Sequence, residues 1–329
     1  MYMNDPLAPL EIIMRQHNVK LAAPEFHAAV NVCFHRFESE VYDEIHRDMW
    51  ESLPQQVELL AADCMRGPVP DKIHMLDIGC GTGLATDSLM RSSLAPRIQE
   101  IDLLDTSTAM LARAEKRREQ WAKPGRTIEG IVETLPPGAS YDLIVTSSVL
   151  HHVPDLPSFL KAVAGLQNAL PDALFIHLQD PNGDSVGDPR KAERAAELPP
   201  AVPDSIARFT PKRILGRLMR EIKGEQGQDY ISKTNRELIR TGVIAKPLSV
   251  EEIFSITDIH VRDGGISIER MKAWLPDYEL VAQRSYGFFG GLSSNLPQAL
   301  RQREEQYIQD GELNGEHIAA AWRRLTSKR

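Results

Sequence analysis

The residues Leu76-Asp77-Ile78-Gly79-Cys80-Gly81-Thr82-Gly83 decide the fold class of this chain. They join an apolar run that starts at Ile73 to an amphipathic stretch near residues 84–91, so they predict a strand, a glycine-rich turn and a helix. Glycine lets the backbone turn tightly and approach a ligand without a clash at Cβ. Such a turn is typical of the switch point of open α/β sheets, where nucleotide-like molecules bind.

The spacing of these glycines argues against a dinucleotide ligand. Dinucleotide-binding folds carry the pattern GxGxxG, with the pyrophosphate at the helix N-terminus. Here the third glycine comes one position early, and Leu84 stands where that pattern requires a small residue. Asp77 would also repel a pyrophosphate, whereas its carboxylate suits a cationic amino-acid group. The motif therefore disfavours NAD.

Around this motif, short apolar runs alternate with helical patterns, which predicts an α/β fold with a parallel sheet. Five strands are predicted near residues 73–78, 98–104, 127–132, 141–147 and 173–179. Two more are predicted at 278–289 and 317–325, with a polar helical stretch between Pro297 and Ile308.

Polar side chains follow several of these strands, and the carboxyl ends of parallel strands meet at one edge of a sheet. Asp105 ends the second strand, where its carboxylate can accept hydrogen bonds from both hydroxyls of a ribose. Asp102 is a weaker candidate, because it would lie inside the strand. The fourth strand leads into Ser147, Ser148 and the pair His151-His152.

Taken together, residues 77–83, 105–111 and 141–155 resemble the class I S-adenosylmethionine-dependent methyltransferase superfamily, most closely its small-molecule branch typified by ubiquinone- and menaquinone-biosynthesis enzymes. The resemblance covers residues 76–180. It implies a Rossmann-like seven-stranded sheet in the order 3-2-1-4-5-7-6, S-adenosyl-L-methionine as cofactor, and methyl transfer to oxygen, nitrogen or carbon of a small-molecule acceptor. The alternative within this fold is a protein that uses the cofactor for another reaction or as a non-catalytic partner.

The resemblance also implies roles for single residues. The glycines would line the methionine end of the cofactor, Asp77 would lie next to its ammonium, and Asp105 would hold its ribose. Ile131 stands where the family often has an acid for the adenine, so Val132 backbone groups or Glu133 are predicted to replace that acid. The full set of predicted cofactor contacts is Tyr42, Asp77, Gly79, Cys80, Gly81, Gly83, Asp105, Thr106, Val132, Glu133, Ser147 and Ser148.

Three histidines are candidate bases for an acceptor that must lose a proton: His152, His151 and His260. Packing or a merely orienting role remains the alternative for each of them. Asp180, at the end of the fifth strand, and Arg262 are candidate substrate contacts, with a turn residue and a solvated loop as the alternatives. No Cys, Asp or His completes a metal set in the neighbouring sequence, so no metal is predicted.

The patterns divide the chain into four parts. They predict a helical N-terminal cap over 1–70, a cofactor-binding core over 71–183, a helical lid insertion over 184–258 and a C-terminal completion of the sheet over 259–329. The insertion should contact the acceptor, through Arg208 or Arg213 unless that run is a solvated helix start.

Composition limits the partners. The formal net charge of −8 disfavours a phosphate backbone, so no nucleic acid is expected. No apolar run is long enough to span a bilayer, no secretory signal is readable, and Cys33, Cys64 and Cys80 lack paired spacing. A cytoplasmic location is therefore predicted, and a homodimer is left open.

Overall fold

One sheet of seven strands organises the computed structural model, which describes residues 5–167, 170–196, 225–262 and 264–325, with only the backbone at 225–228 and Arg262. Its strand order is β3-β2-β1-β4-β5-β7-β6, with β7 antiparallel to both neighbours, which confirms the predicted fold class. The strands are β1 Ile73–Ile78, β2 Ile98–Asp105, β3 Thr127–Glu129, β4 Leu143–Ser147, β5 Leu174–Pro181, β6 Tyr278–Tyr286 and β7 His317–Arg324.

The strands in the middle of the sheet are covered on both faces, which explains their continuous apolar runs. Leu143, Ile144 and Val145 of β4 are fully buried. Parallel pairing brings Ile78, at the end of β1, beside Leu104 of β2 and Thr146 of β4. The residues that follow these strands therefore meet at one edge of the sheet.

Helices cover both faces of this sheet. Their bounds are α1 Leu10–Gln16, α2 Ala23–Glu38, α3 Tyr42–Ile45, α4 Arg47–Cys64, α5 Leu84–Leu89, α6 Thr108–Trp121, α7 Leu156–Gly165, α8 Pro189–Ala196, α9 Glu225–Arg240, α10 Val250–Thr257, α11 Ile259–Arg262, α12 Ile268–Trp274 and α13 Gln298–Gln309. Apolar residues of α4, α5, α6 and α13 pack on one face of the sheet. Those of α7 and α12 pack on the other. Among the helices described, none combines the length and hydrophobicity needed to cross a membrane.

A third apolar cluster lies apart from the sheet. It joins α1 and α2 near the N-terminus to α9 and α10 of the predicted insertion and to α11, which directly follows it. His17 reinforces the contact, since its ring nitrogens lie 3.0 Å from Lys246 O and 2.9 Å from Glu252 Oε1. Helix α4, by contrast, packs on the sheet, so only the first part of the predicted 1–70 cap shares a core with the insertion. Arg208 and Arg213 lie outside the described residues.

Helix α13 lies between β6 and β7, where the polar helical stretch was predicted. Glu304 of α13 is 1% exposed, and its carboxylate accepts hydrogen bonds from the backbone amides of Gly287 and Phe288 at 2.6 and 2.9 Å. These bonds satisfy amides that the chain exposes as it leaves β6.

Candidate functional site

A cavity of about 1120 Å³ opens at the carboxyl ends of β1 to β5, beneath α2 and α3 of the cap, α10 of the insertion and the following helix α11. Its volume lies slightly above the usual range for small-molecule sites. The sequence-predicted residues that line it are Tyr42, Gly79, Gly81, Asp105, Thr106, Val132, Glu133, Ser147, Ser148, His151 and His152. Whether these residues contact the cofactor or the acceptor stays a prediction, but the fold brings all of them to the same cavity.

The glycine loop after β1 presents its backbone to the cavity. The amides of Gly79 and Cys80 donate to Leu104 O at 2.7 and 3.1 Å, which fixes the loop against β2. Gly81 lies in the left-handed region, with a φ of 53°. A Cβ there would meet no atom within 4 Å, because it would project into open space. This residue therefore leaves room that any side chain would fill.

Asp105 and Asp102 have different surroundings. Asp105 lines the cavity, and its two oxygens accept hydrogen bonds from the amides of Gly81 and Ser107, each at 2.8 Å. Burial raises the pKa of Asp105. Asp102 is fully buried inside β2, where it accepts from Arg126 Nη2 at 2.6 Å and Tyr141 Oη at 3.0 Å. Of these two carboxylates, only that of Asp105 lines the cavity.

Three predicted cofactor contacts, Asp77, Cys80 and Gly83, do not line the cavity, and their roles stay predictions. Asp77 is fully buried, with one oxygen accepting from Thr86 Oγ1 at 2.7 Å and the other without a partner among the described residues. Burial raises its pKa to about 7. The Cys80 side chain belongs to the apolar core on one face of the sheet. Gly83 allows close packing, since a Cβ there would approach the Trp121 ring to 3.1 Å.

His151 forms a hydrogen-bonded pair with Asp180. Its Nδ1 lies 2.8 Å from Asp180 Oδ1, and its backbone amide donates to the same oxygen at 3.2 Å. Burial by itself would lower the pKa of His151, but the Asp180 carboxylate outweighs it and the pKa is raised above 6.5. Asp180 is fully buried and does not line the cavity, and the contact that the structure gives it is with His151; its role as a substrate contact stays a prediction.

His152 has a different environment. Its Nδ1 lies 2.8 Å from Thr257 O and 3.4 Å from Asp258 Oδ1, both at the end of α10. Burial and the neighbouring His151 lower the pKa of His152 well below 6.5. His152 is therefore neutral near pH 7 and is oriented by the insertion.

Asp258 joins the two histidines from a distant part of the sequence. One potential ligand atom of each of His151, His152 and Asp258 lies within 4.8 Å of the others, a spacing that a metal ion could use. Sequence analysis missed this third residue because only the packing of α10 on the cap brings it near. The absence of a metal stays a prediction, which chelation can test.

Two further residues, His260 and Arg262, were predicted on the acceptor side. His260 is 7% exposed, does not line the cavity, and its Nε2 lies 2.8 Å from Val153 O, so the structure gives it a packing position. Arg262 ends α11, and its side chain lies outside the described part of the structure.

A buried carboxylate in the cap was also missed by sequence analysis. Glu38 lies 2.8 Å from His35 Nδ1 and 3.4 Å from His46 Nε2. Burial would raise its pKa, but the hydrogen bonds from the two histidines hold that pKa at about 2. The His46 ring packs on Tyr42, with 4.5 Å between ring centroids. The spacing of His35 and Glu38, three residues apart on one helix, was the available signal.

A set of bonds centred on Asp43, which we call the Asp43 latch, ties the cap to the glycine loop. The Asp43 carboxylate accepts from Thr82 Oγ1 at 2.7 Å, Arg117 Nη2 at 2.5 Å and Trp50 Nε1 at 3.2 Å. Arg117 also donates to Thr82 O and lies 4.2 Å from the centroid of the Trp50 ring. The latch thus fixes α3, which carries Tyr42, above the loop that follows β1.

Comparison with known proteins gives a consistent result. Residues 76–169 match a family model described as a methyltransferase domain. The chain is 31% identical over 130 residues to a malonyl-[acyl-carrier protein] O-methyltransferase of Halorhodospira halophila, covering 37% of this chain and 39% of that protein. It is 31% identical over 98 residues to a ubiquinone biosynthesis O-methyltransferase of Methylobacterium nodulans, covering 29% and 37%. The chain thus spans about two fifths of the length of these relatives.

Solved structures are similar over more of the chain, at lower identity. A plantazolicin methyltransferase, BpumL, in complex with SAH covers 92% of this chain and 97% of its own, with 11% identity and a TM-score of 0.47. A protein from Galdieria sulphuraria, named a putative sarcosine dimethylglycine methyltransferase, covers 82% of this chain and 86% of its own, with 14% identity and a TM-score of 0.45.

Proposed function

Because residues 76–169 are a class I S-adenosylmethionine-dependent methyltransferase domain, we propose that the chain transfers a methyl group from S-adenosylmethionine to an oxygen atom of a small-molecule acceptor. We choose oxygen as the accepting atom because His151, which lines the cavity, is hydrogen-bonded to the buried Asp180. A hydroxyl must lose a proton to become a strong nucleophile, and an imidazole oriented by a carboxylate is suited to accept it.

The residues at the ends of β1 and β2 fit this cofactor. Gly81 leaves space that a Cβ would fill, and its amide is held by Asp105. Each Asp105 oxygen accepts one backbone amide and keeps further acceptor capacity, which suits the two hydroxyls of a ribose. Asp77 precedes this loop, and its buried oxygen without a partner among the described residues could accept a hydrogen bond from the ammonium of the cofactor.

The chain's own residues supply orientation and proton acceptance. Bound S-adenosylmethionine supplies a methyl group activated by its sulfonium. His151 holds the acceptor hydroxyl through Nε2 and takes its proton, while Asp180 fixes the ring through Nδ1. Aligning the acceptor oxygen with the methyl group lowers the barrier by removing the entropy of encounter. His152, whose pKa is lowered, helps to orient the acceptor and does not take its proton.

The far side of the cavity suits an acceptor with an apolar body. Phe34 from the cap, Phe159 from α7 and Phe254 from the insertion line it, together with Val32 and Val186. We propose that the shared core of the cap and the insertion forms a lid that excludes water and selects the acceptor. The domain bounds, a cytoplasmic location and a homodimer stay proposals.

One experiment tests this proposal directly. The protein is incubated with S-adenosylmethionine and a fractionated metabolite extract, and mass spectrometry follows the products. We expect a product in which one hydroxyl hydrogen is replaced by methyl, formed in step with S-adenosylhomocysteine. Cofactor binding without any methylated product would instead favour a role for the fold outside methyl transfer.

Replacing Asp105 by alanine is expected to weaken S-adenosylhomocysteine binding by about 1.5–3 kcal/mol, because hydrogen bonds to a charged acceptor are lost. Calorimetry measures the affinity. Asp102→Asn is the control: it removes the charge of a buried carboxylate that pairs with the exposed Arg126, so it should lower the melting temperature and leave affinity unchanged. The reverse pattern would identify Asp102 as the ribose acceptor.

Replacing Asp43 by alanine is expected to weaken S-adenosylhomocysteine binding roughly fivefold, since about 1 kcal/mol of hydrogen bonding holds the cap on the glycine loop. Glu44→Ala, on the exposed side of the same short helix, is the matched control. Equal affinities in the two variants would show that the Asp43 latch does not contribute to cofactor binding.

A further inference from the structure

The end of β5 contains an irregularity that turns one side chain toward the cavity. In the pairing with β7, His177 faces Ala320 and Asp180 faces Ile318. Leu178 and Gln179 are therefore opposed by Ala319 alone, so one extra residue is accommodated as a β-bulge. Bulges bend a strand and redirect side chains, and they are frequent beside active sites.

Gln179 occupies this bulge in a conformation that favours glycine. Its φ is 64°, and the neighbouring Ser148, at the end of β4, has a φ of 57°. Non-glycine residues in this region carry strain that the surrounding structure must offset. Here two hydrogen bonds offset the strain. The backbone amide of Gln179 donates to the buried Tyr286 hydroxyl at 2.9 Å, and Ser148 Oγ donates to the backbone carbonyl of Gln179 at 3.4 Å.

The side-chain amide of Gln179 is buried, but its oxygen lacks a hydrogen bond within the described residues. It lines the cavity, is 9% exposed, and its Oε1 has no hydrogen-bond partner within the described ranges. An unsatisfied buried polar atom costs about 1–3 kcal/mol. A strained backbone and an unsatisfied amide at one residue are the features expected where a ligand supplies the missing bond.

We propose that Gln179 binds a second oxygen group of the acceptor, next to the hydroxyl that is methylated. Gln179 directly precedes Asp180, whose carboxylate holds His151, and the Gln179 side chain and the proposed base His151 line the same cavity. An amide can both donate and accept a hydrogen bond, which matches a hydroxyl or carbonyl beside the reacting oxygen. This inference rests on the proposed function and narrows the acceptor to compounds with two neighbouring oxygen groups on an apolar body.

The test uses a matched pair of probes, 4-pentylcatechol and 4-pentylphenol, with protein saturated with S-adenosylhomocysteine. Calorimetry should give about tenfold tighter binding of the catechol to the wild type. In Gln179→Leu the two affinities should fall within twofold of each other, through loss of catechol affinity. Gln99→Leu, an exposed glutamine far from the cavity, should keep the preference.

A second variant separates recognition from folding. Tyr286→Phe removes the hydroxyl that accepts a hydrogen bond from the backbone amide of Gln179. This variant should therefore reduce the preference for catechol while S-adenosylhomocysteine affinity stays within twofold. A wild type without preference for the catechol, or a Gln179→Leu variant that keeps it, would overturn the inference. Failure to methylate any acceptor would instead count against the proposed function, since probe binding is measured without turnover.

Discussion

Replacing Gly81 by valine is expected to abolish S-adenosylhomocysteine binding, with at least a hundredfold loss of affinity. The residue has a φ of 53° and lines the cavity, and a side chain there would project into space left open at the glycine loop. The larger part of the effect is therefore exclusion of the ligand, because the protein itself offers no atom for the new Cβ to clash with.

Backbone strain is the competing explanation, since a β-branched residue is strongly disfavoured at positive φ. Gly311→Val controls for it: Gly311 has a φ of 72°, is exposed, and also has no atom within 4 Å of a built Cβ. Both variants should lose similar stability in thermal unfolding, and only Gly81→Val should lose binding by calorimetry. A Gly81→Val protein that still binds the ligand would remove the glycine loop from the cofactor site.

Replacing His151 by alanine is expected to lower kcat by about 10²–10⁴-fold, the usual contribution of a general base. S-adenosylhomocysteine affinity should change less than threefold, because the proposed role of His151 lies with the acceptor. Asp180→Asn should lower kcat less, since the imidazole remains but loses the carboxylate that orients it. His260→Ala is the matched histidine control, because that side chain packs away from the cavity.

The pH dependence gives a second measurement. His151 must be unprotonated to accept a proton, so kcat should fall as the pH drops below its pKa, which the Asp180 carboxylate holds above 6.5. In Asp180→Asn this fall in kcat should occur at a lower pH. A larger loss in His152→Ala would transfer the role of base to His152.

The metal alternative has its own outcome. Activity should survive dialysis against EDTA if His151 acts as a base. Activity that is lost on chelation and restored by zinc or manganese would show that His151, His152 and Asp258 bind a metal ion.

The sequence was sufficient for the fold because its signals are local. The glycine run after β1 fixes a strand-to-helix turn, and Asp105 follows β2 at the position where parallel strands expose their carboxyl ends. The helix between β6 and β7 was predicted within one residue at each end, because a proline and a polar helical period mark it in the sequence.

The site was predicted less completely because its details depend on contacts between distant segments. Asp258 reaches the histidine pair only through packing of the insertion against the cap, and no local pattern reports this. The β-bulge at Gln179 arises from pairing with a strand about 140 residues later. Asp77 and Cys80 look like ligand contacts in the motif, but the direction of their side chains is set by the core behind the loop.

The Asp43 latch has a kinetic consequence. Because the carboxylate that holds the cap also holds Thr82 in the glycine loop, we expect the cofactor to leave only after the cap is released. Breaking the Asp43–Arg117 contact would then be a step of each catalytic cycle, separate from the chemical step. We therefore expect a compulsory order in which the cofactor binds first and S-adenosylhomocysteine leaves last.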